Sequence, residues 1–501
     1  MRWRAGPFCV WLGLCDNGNF KQNKNAALEA RVSHLSIRIR RVKCDEKTPS
    51  CTRCTSTGRS CEWIGVFRDG LSQAKPRMKP QQPLPTFPDV RALELRGFEF
   101  FQQRTAREMC PSFEFGFWTS LVLQLSRSEP AVLHAAVALG VLHETEESLG
   151  MPISKDRLAH NENHKFAVGQ YNAAIRLLTE QAQGGSRTAT SVLATCLIFV
   201  HIDLMRGLYQ AAGGHIRSGL KILEESEHVL PHDVSRMMRT GFCRLDLQAA
   251  HFDAEAPYYQ LPVELATLEN ALNRPFRTIE NEKEQYDILI YHTFQLLRKC
   301  EGNVLKNRWE HLSDQALKAQ QQKLLHFHDK FIQNCSVLAA DQQALLLLRM
   351  HALLTQVLIR VCMARDIEGA FEEHIFTFEN ILVLAEEFVS NQTKVDGLVS
   401  RVGSFSTDWG IIFPLTLTAL KCRVGWLRRK AINLLEARKH REGFWDSALA
   451  ATCCRELVSL EIGEEGTIQQ LANIWVDIPN HQRGVTLTWE SQGARSRTVA
   501  I

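Results

Sequence analysis

The chain has 501 residues, 45% of them hydrophobic and 23% charged, with a formal net charge of +4. That balance is globular, so wholesale disorder is excluded and about two to four domains of ordinary size are allowed. The richest apolar stretch, 344–363, is broken by Arg349, His351 and Arg360, which argues against a membrane span.

Residues 1–30 form an unassigned leader. MRWRAGPFCVWLGLC copies a secretory signal in outline, with two arginines before a short apolar run, but no small-residue cleavage site follows. Residues 31–63 carry eight Lys/Arg against three acids, Asp45, Glu46 and Glu62. Such a basic head on a faintly acidic body points to a polyanionic partner met by the head alone. Residues 64–90 hold Pro76, Pro80, Pro83, Pro85 and Pro88, a density that favours an extended spacer over packed structure.

From 91 to 501 helical periodicity dominates, and the region is expected to be an all-helical domain. In SEPAVLHAAVALGVLHETEESLG, Ser128 reads as the N-cap, Pro130 as a first-turn residue and Gly150 as the stop. Val132, Ala136, Leu139 and His143 share a stripe, with Leu133, Val137 and Val141 beside it, so this helix is expected to be central. Leu346, Met350, Leu353, Val357 and Val361 repeat at helical steps opposite Arg349, Gln356 and Arg360. Similar stretches recur near 160–180, 190–225, 285–300, 376–389 and 415–440, with no fixed period that would mark a repeat array.

Fifteen cysteines are an odd number, and Cys196, Cys243, Cys362 and Cys422 stand singly in apolar stretches. That is the pattern of buried reduced thiols rather than of a disulfide framework. Cys44, Cys51, Cys54 and Cys61 differ, because they fall at C-x6-C-x2-C-x6-C. Thiolates favour zinc, and a C-x2-C pair lets two sulfurs reach one ion from a tight turn. Lys43, Lys47, Arg53 and Arg59 flank them and favour the deprotonated form. Projecting the spacing backward from Cys44 places a further pair at positions 37 and 34, which hold Ile37 and His34.

The stretch RIRRVKCDEKTPSCTRCTSTGRSCEW resembles the fungal six-cysteine binuclear zinc-cluster family, in which six thiolates hold two zinc ions ahead of a long helical regulatory region. FGFWTSLVLQLSRSEPAVLHAAVALGVLHE and RRKAINLLEARKHREGFWDS resemble that regulatory region. The resemblance implies a mainly α protein: a small zinc-cluster module, a proline-rich linker and a large helical regulatory domain. It makes Cys44, Cys51, Cys54 and Cys61 the third to sixth Zn2+ ligands, with Cys51 bridging, and matches Pro49 to the family's turn proline. By the same connectivity one zinc needs position 34, Cys51, Cys54 and Cys61, and His34 is able to complete it. The other needs positions 34 and 37, Cys44 and Cys51, and is left with two thiolates.

Three explanations stand for the gap: a misread N-terminus in which intron or untranslated sequence replaces an exon, a genuine one-zinc protein, or a chain that has abandoned DNA. If the cluster is intact, Arg40, Arg41 and Lys43 are the expected groove contacts on double-stranded DNA, and Arg38, Arg53 and Arg59 the phosphate contacts. RIRRVK also reads as a nuclear import signal, which places the chain in the nucleus. A homodimer is left open, since the linker is too proline-rich for a coiled coil, and so is any small-molecule effector.

No enzyme is expected. In GGHIRSGLK, Gly214 and Gly219 mimic a phosphate loop, but Leu220 occupies the lysine position. His134, His143 and His351 read as core or rim histidines, and Cys453 and Cys454, adjacent on a helix, point apart. Two functions follow: a zinc-dependent, sequence-specific regulator of RNA polymerase II genes, or a helical interaction or ligand-sensing protein with a degenerate cluster.

Overall fold

The computed structural model describes residues 2–4, 90–113, 115–149, 161–184, 188–251, 257–259, 265–274, 278–305, 308–335, 342–395, 404–437, 439–461, 472–477, 484–490 and 494–500. All belong to one compact unit, Met1–Cys15 with Pro88–Ile501. The fold is mainly α. In chain order the longer helices are α1 (Val90–Phe100), α2 (Pro130–Leu149), α3 (Glu162–Gly184), α4 (Ala189–Met205), α5 (Tyr209–Ser226), α6 (His232–Ala249) and α7 (Ile279–Leu305). They continue as α8 (Gln315–Cys335), α9 (Gln342–Val361), α10 (Ile375–Val395), α11 (Ile412–Lys421), α12 (Gly425–Ala437) and α13 (Ser447–Glu461).

Helix α2 packs against α1, α3 and α4, and is central as its sequence predicts. Val132, Ala135, Ala136, Ala138 and Leu139 are wholly buried, and so is His143. The helix starts one residue later than the N-cap assigned to Ser128. Leu133 N–H donates to the Glu129 carbonyl at 3.1 Å, which puts Pro130 at the first helical position, where its missing N–H has no partner to lose.

Helix α4 is buried along nearly its whole length. The Thr188 side chain accepts from Ser191 N–H at 3.2 Å and caps its start. Its end is a left-handed turn at Gly207, with φ of 69°. Gly207 N–H donates to the Leu204 carbonyl at 3.0 Å and Leu208 N–H to the Asp203 carbonyl at 2.7 Å, a Schellman termination.

Helix α9 meets α7, α8, α10 and α11. By length and composition Gln343–Val361 is apolar enough to cross a membrane, but 72% of that stretch is buried inside the fold. It is a core helix, more enclosed than its one-sided stripe suggests: Arg349 and Gln356 are half-buried and only Arg360 is exposed. One continuous hydrophobic cluster runs from Phe101 to Leu457.

Strands interrupt the expected all-helical region. β2 (Ser404–Ser406), β3 (His440–Glu442) and β4 (Trp445–Asp446) make a small sheet, with β2 parallel to β3 and β3 antiparallel to β4. After α13, β5 (Ala472–Asp477), β6 (Gly484–Glu490) and β7 (Ala494–Ala500) form an antiparallel meander. The leader, which showed no pattern, contributes β1 (Arg2–Arg4), paired antiparallel with β5. Helical periodicity therefore does not extend to the C-terminus. In Val485, Leu487 and Trp489, alternating with Thr486, Thr488 and Glu490, a period of two replaces it.

Candidate functional site

The residues singled out for metal and DNA, His34, Arg38, Arg40, Arg41, Lys43, Cys44, Cys51, Arg53, Cys54, Arg59 and Cys61, lie outside the described residues. The chemistry of that donor set is still informative. Four thiols suffice for one tetrahedral zinc ion, and with Ile37 in place of a ligand they do not reach the six that two ions share.

Among the described residues, the polar groups that sequence reasoning missed gather where β2–β3–β4 meets the helices. Arg441, on β3, sends its guanidinium to the end of α4. Its Nη1 donates to the Met205 carbonyl at 2.7 Å and its Nη2 to the Leu204 carbonyl. Those carbonyls belong to the last turn of the helix, where cations are favoured. The same group lies 4.0 Å from both Glu146 and Asp446. Burial pushes the Glu146 carboxyl up to about 8, with Arg441 opposing the shift.

Glu442, next along β3, caps α11. Its two carboxylate oxygens accept Ile411 N–H at 2.9 Å and Ile412 N–H at 3.0 Å, and His440 Nε2 sits 2.9 Å from one of them. Gly410 is required here, because a Cβ would overlap that carboxylate.

Asp408 performs the same service for the segment after α1. One oxygen accepts Ser112 N–H at 2.8 Å and Phe113 N–H at 3.2 Å. Burial raises Asp408 to about 6, while these two bonds, Arg244 and Lys283 oppose the rise. Nearby, Asp287 accepts from Arg244 Nε at 2.9 Å and pairs with Lys283. Burial alone would raise Asp287; the two cations hold it below its usual range. Thr407 completes the seam: its N–H donates to the Met109 carbonyl at 2.7 Å, and its own carbonyl accepts Gln248 Nε2 at 2.7 Å. The signal that could have found this seam is the unusual density of charged and aromatic residues in STDWG and HREGFWD.

Cys196, His215 and Asp203 come together, as a nucleophilic triad would, but in the wrong sense. Cys196 Sγ donates to the His215 backbone carbonyl at 3.2 Å, and burial pushes the thiol up to about 12. Nothing in this arrangement generates a thiolate. His143 and His351 are core histidines and His134 lies at the rim. The residues of GGHIRSGLK lie within α5, as helix rather than phosphate loop. Among the described residues no group of three or more His, Cys, Asp or Glu is placed to hold a metal ion.

Comparison with known proteins bears on both parts of the chain. Residues 96–243 match the fungal specific transcription factor domain. Residues 38–69 match the fungal Zn(2)-Cys(6) binuclear cluster domain. Two segments of the chain are thus similar to the two domains of fungal zinc-cluster regulators.

Similar proteins include the aspercryptin biosynthesis cluster-specific transcription regulator of Emericella nidulans, 30% identical over 295 residues, or 50% of this chain and 46% of that protein. A transcription regulator of Purpureocillium lilacinum, lscL, is 30% identical over 207 residues, 38% of this chain and 48% of its own length. A Zn(2)-C6 fungal-type transcription factor of Aspergillus fumigatus, afumD, is 30% identical over 150 residues, 27% and 40% respectively. The chain thus spans under half the length of each of these curated relatives. No solved structure matches it. The match to the zinc-cluster domain opens at Arg38, so positions 34 and 37 fall outside it.

Proposed function

We propose that this chain is a zinc-dependent, sequence-specific DNA-binding regulator of RNA polymerase II transcription, acting in the nucleus. The observation that carries the reading is Cys44-x6-Cys51-x2-Cys54-x6-Cys61 within a match to the zinc-cluster domain, on a chain that also matches the regulatory domain. Cys51, Cys54 and Cys61, with His34 as the fourth donor, would hold one zinc ion. When bound, the ion supplies the folding free energy that a module with so little apolar surface lacks. Arg40, Arg41 and Lys43 read base edges, each good contact discriminating by roughly 1–3 kcal/mol. Arg38, Arg53 and Arg59 hold phosphates, which makes the affinity fall steeply with salt.

The full-length protein is purified, its zinc counted by mass spectrometry, and its binding to a randomised duplex pool selected and then measured by anisotropy. At most one zinc per chain is expected, together with duplex binding that a chelator abolishes. Two tightly held ions would refute the ligand assignment. No zinc and no duplex binding at low ionic strength would overturn the regulator reading. That second result favours a helical interaction or ligand-sensing protein with a degenerate cluster, for which the substitution of His34 and Ile37 at ligand positions already speaks.

A further inference from the structure

A cavity of about 280 Å³ opens beside the β2–β3 pair, between the segment after α1 and helices α9, α10 and α12. Packed cores hold few voids larger than a water molecule. This one approaches the lower end of the roughly 300–1,000 Å³ range of small-molecule sites, which limits an occupant to a compact, ring-sized body. Its apolar wall is built by Leu347 of α9, Phe388 and Val389 of α10, Phe405 of β2, Ile411 and Leu434. Those residues come from distant parts of the chain, so a molecule lying among them ties several elements together.

The charges that border the space are already committed inside the protein. Glu108 accepts from Arg104 Nε at 2.8 Å, with His143 Nε2 3.6 Å away. Asp408 holds the amides of Ser112 and Phe113 and faces Arg244 and Lys283. Glu442 holds the amides of Ile411 and Ile412 and meets His440 at 2.9 Å. The Arg441 guanidinium is turned to the carbonyls of Leu204 and Met205. An ion entering the cavity would lose hydration and find no spare counter-charge to replace it. The wall therefore selects for neutral molecules.

Two hydroxyls are not committed. Half-buried Ser112 and Ser406 both border the cavity. Ser112 uses its backbone N–H on Asp408, and Ser406 uses its carbonyl on Gly443 N–H. Neither hydroxyl has a partner among the described residues. Each is able to donate to a neutral oxygen or accept from one.

We propose that this cavity binds a neutral, mainly apolar small molecule that carries a ketone or hydroxyl oxygen, its body against Leu347, Phe388 and Phe405 and its oxygen bonded by Ser112 or Ser406. The site belongs to the helical body alone. Its occupancy is measurable without DNA, so it stands or falls separately from the regulator reading.

Three probes of nearly one shape separate charge from body: 2-acetylnaphthalene, 2-naphthoate and 1-(2-naphthyl)ethylamine. Each is titrated into the full-length protein at pH 7.5 by calorimetry, with thermal shift in parallel. The ketone is expected to bind with one-to-one stoichiometry and raise Tm, and both ions to bind at least tenfold more weakly. Val389→Trp, at a half-buried wall position, is expected to abolish ketone binding while circular dichroism and Tm of the free protein stay native-like. Val389→Phe, a smaller intrusion, takes its place should the tryptophan disturb the fold. Replacing both hydroxyls, by Ser112→Ala with Ser406→Ala, is expected to weaken the ketone about fivefold, the worth of one hydrogen bond. Failure of the ketone to bind, binding of either ion as tight as the ketone, or ketone binding unaltered in the folded wall variant or the double serine variant would each overturn the proposal.

Discussion

Two glycines five residues apart on α5 show how one atom decides a packing contact. A Cβ on Gly219 would overlap the Phe242 ring of α6, whereas a Cβ on Gly214 meets nothing within 4 Å. Gly219→Ala must push the ring aside and is expected to cost about 1–3 kcal/mol. Gly214→Ala removes helix-destabilising backbone freedom at no steric cost and is expected to stabilise by about 0.5–1 kcal/mol. Urea midpoints of the two variants against the parent check both signs. The sequence shows GGHIRSGLK to be helical from its periodicity. It does not separate the roles of the two glycines, because that depends on a residue of the next helix.

At the scale of elements, the ends of helices rely on residues far away in sequence. Helix α4 finishes at a glycine turn and on the guanidinium of Arg441, and α11 begins on the carboxylate of Glu442. Arg441→Leu strips the cation from two buried carbonyls and from the neighbourhood of Glu146 and Asp446, and is expected to cost roughly 3–5 kcal/mol. Glu442→Ala leaves the N–H groups of Ile411 and Ile412 without an acceptor, at roughly 1–3 kcal/mol for each buried group. Denaturant unfolding followed by circular dichroism measures both losses. Helices α2 and α9 were legible because their apolar residues repeat over five turns or more. Strands β2, β3 and β4 were not, since two or three residues are too few for alternation to register. β6 is long enough, and its alternating Val485, Leu487 and Trp489 carried a strand signal that the helical run before it obscured.

For the molecule as a whole, buried histidines set part of the response to acid. Burial lowers His201 and His351 to about 4 and His251 and His328 to about 3. Each is neutral in the fold and takes a proton only on unfolding. Its contribution is therefore present above the usual value near 6.5 and is lost as pH falls toward the folded value. Glu146 and Asp408 act in the opposite sense, since burial makes the folded form hold protons that the unfolded chain has released. They offset part of the histidine loss. His328 is the simplest to isolate: burial alone shifts it, and its Nε2 lies 3.2 Å from Thr293 Oγ1. His328→Gln is expected to narrow the stability difference between pH 7.5 and pH 5 by about 2 kcal/mol, near 1.4 kcal/mol per pH unit below 6.5, as read from urea midpoints at the two values.

The cysteine spacing, the basic head and the helical body were readable in the chain because each is a local pattern. The seam of Asp408, Arg441 and Glu442 was not, because its partners stand up to 296 residues apart. That separation has a practical outcome for anyone trimming the gene. The regulatory-domain match stops at residue 243, yet the amides of Ser112 and Phe113 and the carbonyls of Leu204 and Met205 are satisfied from residues 408 and 441. A truncated polypeptide ending at that border would carry raw helix ends and an uncovered greasy flank, and would precipitate rather than fold. Expression trials should retain everything through α13.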